Sequence, residues 1–166
     1  MPISASQARI VVADAGPLIA LGRLNSLALL PALFAQVQVT ETVLAECLAR
    51  PDLADARRVA AALTAGWLVP CPHILPAASG RLDPGESSAI ARALEIGGGL
   101  LLDDRAAVVY ARGLGLKVIG TLGILVLAKR QGKLAKVAPL IEQLRTSGHY
   151  LGEAVIAAAL AAAGEA

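Results

Sequence analysis

Five short apolar runs, Arg9 to Ala13, Val37 to Val39, Trp67 to Val69, Leu100 to Leu102 and Lys117 to Ile119, constrain the fold of this chain more than any other feature. Apart from Gln38 in the second, they carry no polar–apolar alternation, so they read as strands buried on both faces. Between them the apolar residues recur at helical spacing. This predicts helices over Glu41 to Ala49, Leu53 to Ala65, Asp83-Pro84-Gly85-Glu86 to about Ile96, and Arg105 to about Leu114. Strands separated by helices of ten to fifteen residues indicate an α/β class: a three-layer α/β/α sandwich around a mostly parallel sheet of four to five short strands.

The punctuation agrees with this alternation. Asp14-Ala15-Gly16-Pro17 marks a turn after the first strand, and Pro17 to Phe34 reads as helix broken near Gly22 and Pro31. Thr40 can cap the helix that Pro51 stops, Gly66 ends the next one, and Pro70 to Pro76 is a proline-rich connector. A triple glycine follows Ile96, and three closing helices are expected over Leu122 to Gln131, Val137 to Arg145 and Gly152 to Ala162. No linker or repeat interrupts the 166 residues, 56% of them hydrophobic, so one domain spanning 1–166 with a sizeable core is expected.

Composition excludes several classes. Mean hydropathy is +0.65, yet the longest clean apolar runs, Val118 to Ala128 and Ala154 to Ala163, fall short of the ~20 residues that cross a bilayer. No Lys/Arg-led start precedes an apolar stretch and Asp14 interrupts the first one, so neither membrane nor secretory signal is expected and the assigned compartment is the cytoplasm. Cys47 and Cys71 lack CxxC spacing and read as reduced thiols, while His73 and His149 form no zinc motif. Neither a GxSxG elbow nor a GxxxxGK[ST] loop is present. Phe34, Trp67, Tyr110 and Tyr150 are too scattered for a base-stacking platform, so any nucleic acid would be held through its phosphates.

Ligands of parallel sheets bind outside the carboxyl ends of the strands, and acids stand at two such ends, Asp14 and Asp103-Asp104. Glu86 lies in line with the apolar stripe of its helix, and Glu46 borders that of its own. Each has a local explanation: a turn for Asp14, a capping box for Asp83 with Glu86, an N-cap for Asp103 or Asp104, a solvated face for Glu46. Like charges gathered at a sheet edge are costly unless protonated or bridged by a cation, and carboxylates without His or thiolate suit Mg²⁺ or Mn²⁺. The chemistry implied is phosphodiester hydrolysis. Between Arg105 and Arg145 eight basic residues face one acid, Glu142, a bias that fits either a polyanion or the solvated faces of helices.

Together, Asp14-Ala15-Gly16-Pro17-Leu18-Ile19, Val43-Leu44-Ala45-Glu46, Leu82-Asp83-Pro84-Gly85-Glu86 and Leu101-Leu102-Asp103-Asp104 resemble, in that order, a PIN domain. LDPGESSAIARAL, LLLDD and KVIGTLGILVLAKRQGKL are similar to a prokaryotic PIN-like family related to VapC toxins of type II toxin–antitoxin pairs. The resemblance implies a Mg²⁺- or Mn²⁺-dependent endoribonuclease with Asp14, Glu46, Glu86 and Asp104 at the family's acidic positions and Asp103 as the alternate fourth ligand. It also places Thr121 at a small-hydroxyl position near the site, with an N-cap role as its bland alternative, and Arg105 and Arg112 near the RNA. A small antitoxin protein and a homodimer are the partners it implies. Two departures stand out: Gly16 replaces a common Ser or Thr, and Val108 stands where relatives place an Arg in one alignment. Gly16 motivates the alternative of a catalytically weak or inactive module that binds RNA or a partner protein. A phosphotransfer domain is the weaker third possibility.

Overall fold

The computed structural model describes residues 9–72 and 82–166. Five strands, β1 (Ile10–Ala13), β2 (Gln36–Thr40), β3 (Val69–Cys71), β4 (Gly99–Leu101) and β5 (Val118–Ile119), form one sheet in the order β3-β2-β1-β4-β5. Every pairing is parallel, from Ile10 opposite Gln36 to Leu101 opposite Ile119. Nine helices accompany them among the described residues: α1 (Ala15–Arg23), α2 (Leu29–Leu33), α3 (Glu41–Cys47), α4 (Ala54–Thr64), α5 (Pro84–Ile96), α6 (Arg105–Gly113), α7 (Thr121–Arg130), α8 (Ala138–Thr146) and α9 (Glu153–Ala162).

The chain moves one way across the sheet from β1 to β3 and the other way from β4 to β5. Right-handed crossovers in opposite directions put their helices on opposite faces. Accordingly α5 packs on β1, β2 and β4 while α7 packs against α1 and α2. The sheet is therefore covered on both sides, which is why Val11, Val12, Ala13, Leu100 and Leu101 are all buried. No described helix is long and apolar enough to cross a membrane.

Three expectations need correction. The break expected near Gly22 falls just after it, at Leu24–Ala28, and there is none at Pro31. Asn25 adopts φ 50°, with its N–H on Gly22 O at 3.1 Å and that of Ser26 on Leu21 O at 2.8 Å, a left-handed helix stop. Gly22 instead lets α4 approach, since a Cβ there would stand 3.1 Å from Asp55 Cβ. Pro31 sits in the first turn of α2, where an N–H has no helical partner to lose. The third strand is Val69–Cys71 rather than Trp67 to Val69. Trp67 belongs to the stop of α4, its N–H reaching Ala62 O at 2.9 Å past Gly66 at φ 79°. Pro70 and Cys71 are thus strand; residues 73–76 of the expected connector, with His73, lie outside the described residues. Third, α7 begins at Thr121 with Gly120 as its N-cap, so Thr121 does not cap this helix.

Candidate functional site

β1 and β4 lie side by side at the centre of the sheet, and the Asp14 N–H bonds Leu101 O at 2.9 Å as the two strands end. Asp14 and the Asp103-Asp104 pair therefore leave neighbouring strands at one edge. Asp14 occupies the N-cap position of α1 yet makes no side-chain capping bond. It is 7% exposed, and its Oδ1 is buried with no hydrogen-bond partner. Burial pushes its carboxyl up to about 7; the Ala15 N–H opposes this, and the negative charges of Asp83, Glu46 and Glu86 add to it.

Glu46 and Glu86 are brought to this place by a polar relay between two helices. Thr40 caps α3 by accepting the Val43 N–H at 3.2 Å, and its hydroxyl lies 2.7 Å from Ser88 Oγ, which donates to Gly85 O at 2.8 Å. Both side chains are buried, so the relay fixes the N-terminus of α3 against that of α5. The Glu46 carboxylate then lies over Gly85, occupying the space that a Cβ would take. Partial burial and the Asp83 charge raise its pKa while the Gly85 N–H lowers it, although the residue as a whole is exposed rather than tucked along an apolar face.

Asp83 and Glu86 form the expected capping box: Asp83 Oδ1 accepts the Glu86 N–H at 2.7 Å, and Glu86 Oε2 accepts the Asp83 N–H at 3.2 Å. Glu86 is 9% exposed and is pushed to about 7 by burial, with Asp83 and Asp104 contributing. Asp104 caps α6 through the Ala107 N–H at 2.9 Å. Asp103 faces elsewhere: its Oδ1 accepts the Thr121 N–H at 2.7 Å and its Oδ2 the Thr121 hydroxyl at 2.6 Å.

Asp14, Glu46, Glu86 and Asp104 thus belong to one electrostatic cluster, with Asp103 and Thr121 on its α7 side. Two further members escaped sequence reasoning. Asp83 is coupled to Asp14, Glu46 and Glu86, and its place in the capping box already carried that signal. His149 lies within electrostatic reach of Asp103 and Arg23, with burial lowering its pKa; nothing in the local sequence marks it. Arg105 opens α6 beside the acids. Arg112 ends α6, about 10 Å along the helix axis and toward the opposite edge of the sheet. All the acids offer hard oxygen donors, and Asp14 Oδ1 is an orphaned one, which fits a hard divalent cation. No three His, Cys, Asp or Glu side chains among the described residues are gathered closely enough to ligate one together.

A parallel α/β sheet with carboxylates at its central carboxyl edge defines a class that the comparisons name. A family model described as a PIN domain (DUF3368) matches residues 10–165, and the chain belongs to that family. Its structure is similar to that of a PilT N-terminus domain protein, SSO1118, from the archaeon Sulfolobus solfataricus P2. Sequence identity is 22%, the TM-score 0.54, and the match covers 70% of this chain and 90% of that one, a likeness of fold. No curated protein matches. PIN domains are generally nucleases, and the fold is nuclease-like.

Proposed function

We propose that this protein is a Mg²⁺- or Mn²⁺-dependent endoribonuclease, the toxin of a type II toxin–antitoxin pair. One observation carries the reading: Asp14 Oδ1 is buried, unpartnered and surrounded by other acids. Helix capping accounts for one oxygen each of Asp83, Glu86 and Asp104, but no hydrogen bond accounts for Asp14 Oδ1. An orphaned acceptor on a 7%-exposed carboxylate carries an uncompensated desolvation cost of about 1–3 kcal/mol or more, and a cation would remove it.

A bound Mg²⁺ or Mn²⁺ would supply charge neutralisation and Lewis-acid activation of water and scissile phosphate. Asp14 and Asp104, with Glu86 and Asp103, are the residues proposed to hold it. Glu46, over Gly85, is the proposed proton acceptor, and the burial and Asp83 charge that raise its pKa support that role. Arg105, on the first turn of α6, is the residue proposed to pair with phosphate. For the antitoxin, an apolar groove of about 420 Å³ runs between α7 and α9, lined by Leu122, Val126, Leu127 and Val155, where a partner helix can lie. A homodimer and a cytoplasmic setting complete the reading.

RNA cleavage by purified protein in Mg²⁺ or Mn²⁺ is the test. Activity abolished by EDTA and lost in Asp14→Asn, with unchanged circular dichroism, is expected; activity that survives either change rejects the mechanism. The second reading, a weak or inactive module that binds RNA or a protein, is favoured by the absence of three gathered ligands among the described residues and by Gly16. RNA binding without Mn²⁺ uptake would establish it.

A further inference from the structure

The amino edge of the sheet carries a second surface, remote from the acids at the carboxyl edge. β1 spans four residues, so the two edges stand about 13 Å apart along it. At the amino edge α5 and α6 both stop at a left-handed glycine, Gly97 (φ 64°) and Gly115 (φ 85°). The next N–H folds back in each case, Gly98 on Ala93 O and Leu116 on Ala111 O, both at 3.1 Å. Between these two turns and the starts of β1 and β5 lies an open cavity of about 600 Å³. Three of the eight large apolar side chains that the described residues expose, Ile10, Leu94 and Leu114, gather around it. Apolar groups that converge in this way mark a binding surface, where scattered ones would not. Arg9 and Lys117 line the same cavity and, among the described residues, no acid does. Neither cation has a carboxylate partner among those residues, and Glu95, the acid next to Leu94, is taken up by Arg92 at 3.4 Å.

We propose that this cavity docks an acidic segment of a partner protein, whose aliphatic side chains enter it while its carboxylates meet Arg9 and Lys117. The proposal does not depend on the nuclease reading, and none of the lining residues is shared with the groove between α7 and α9. Charge and shape select the occupant together. The carboxyl ends of α5 and α6 give the interior a partial negative charge, which disfavours a bare phosphate or carboxylate seated deep. Apolar groups therefore belong inside and negative ones at the two cations. RNA offers no aliphatic groups to Ile10, Leu94 and Leu114, and no aromatic ring among the described residues lines the cavity to stack a base. The volume lies in the range of ligand pockets and takes a few side chains. Two unpaired cations beside an apolar wall steer an acidic chain and set its register.

Selection of a random displayed library of peptides about twelve residues long on the full chain, then fluorescence anisotropy with the enriched peptide, makes the test. Enriched sequences that combine Leu, Ile or Val with Asp or Glu are expected. The peptide's Kd should rise about tenfold or more in Lys117→Glu and in Leu114→Ser, rise with added salt, and stay unchanged in Asp14→Asn. Lys117 and Leu114 are exposed, so both variants should melt near wild type; if Leu114→Ser does not fold, Leu94→Ser replaces it. No acidic and aliphatic enrichment, or a peptide that binds Lys117→Glu and Leu114→Ser as it binds wild type, overturns the inference. Three other outcomes also overturn it, each by assigning the cavity to a different occupant. A single-stranded RNA whose affinity falls about tenfold in Lys117→Glu assigns it to nucleic acid. A dimer in sedimentation that Leu114→Ser abolishes assigns it to a second copy. Tighter peptide binding by a chain that begins at Arg9 assigns it to residues 1–8.

Discussion

Asp14 is a carboxyl that the fold prefers to keep protonated. Its pKa rises from 3.8 to about 7, so the folded chain binds this proton more tightly than the unfolded chain does. The resulting stability is fully present below about pH 3.8 and is lost as pH rises through about 7, an effect of up to ~4 kcal/mol at about 1.4 kcal/mol per pKa unit. Metal-free wild type should therefore melt at lower temperature at pH 8 than at pH 5. Asp14→Asn should remove much of that slope and melt about 5 °C or more above wild type at pH 8; parallel pH profiles for the two would refute the assignment. A second prediction concerns Gly85. A Cβ there collides with the Glu46 carboxylate, which is the far end of a flexible side chain, so Glu46 swings away and the fold survives. Gly85→Ala should melt near wild type yet lose nuclease activity comparably to Glu46→Ala, as matched melting curves and cleavage assays will show.

Most strands and helix limits were legible because the buried central strands β1 and β4 leave short apolar runs, and because Thr40, Asp83 and Asp104 sit where caps belong. Misreadings fell where tertiary contact overrode local signal. Gly22 looks like a breaker but is where α4 packs against α1, and Trp67 looks like strand but closes α4. The acids of the site were visible one by one; their grouping was not, since the turn of Asp103 toward Thr121 depends on a partner far along the chain and on the room that Gly120 leaves. The C-terminal end was likewise illegible. Glu165 accepts the Val137 and Ala138 N–H groups at 2.8 and 3.0 Å, capping α8, while Lys129 Nζ bonds Glu165 Oε2 at 2.9 Å and Ala163 O at 2.7 Å. These bonds hold its pKa down near about 2. The stability they contribute is present above about pH 4.5 and is lost as pH falls through about 2. Glu165→Gln should lower the melting temperature at pH 7 and narrow the gap from wild type as pH approaches 2, readable in thermal melts; an equal gap at both pH values would rule this out.

Across the molecule, the basic half is less available to RNA than its sequence suggests. Lys129 pairs with Glu165, and Arg145 lies 3.7 Å from Glu142 and 3.4 Å from Glu153. Arg112 ends α6 and Lys117 precedes β5, both toward the edge away from the acids. Arg105 remains at the acidic edge. RNA bound there should therefore release few counterions: with about three phosphate contacts, log Kobs against log salt falls with a slope near −2, at about −0.7 per contact on a single strand. Filter binding over a salt series checks this, and a slope near −5 would mean that the wider basic surface is engaged.

The bond from the Asp14 amide to the Leu101 carbonyl, 2.9 Å long, ties both acidic branches to a shared rung. Opening of that rung should displace the two together, since each leaves its strand within two residues of it. An enzyme hung this way would keep its pincers set by a single amide, whose deuterium uptake reports how long they hold.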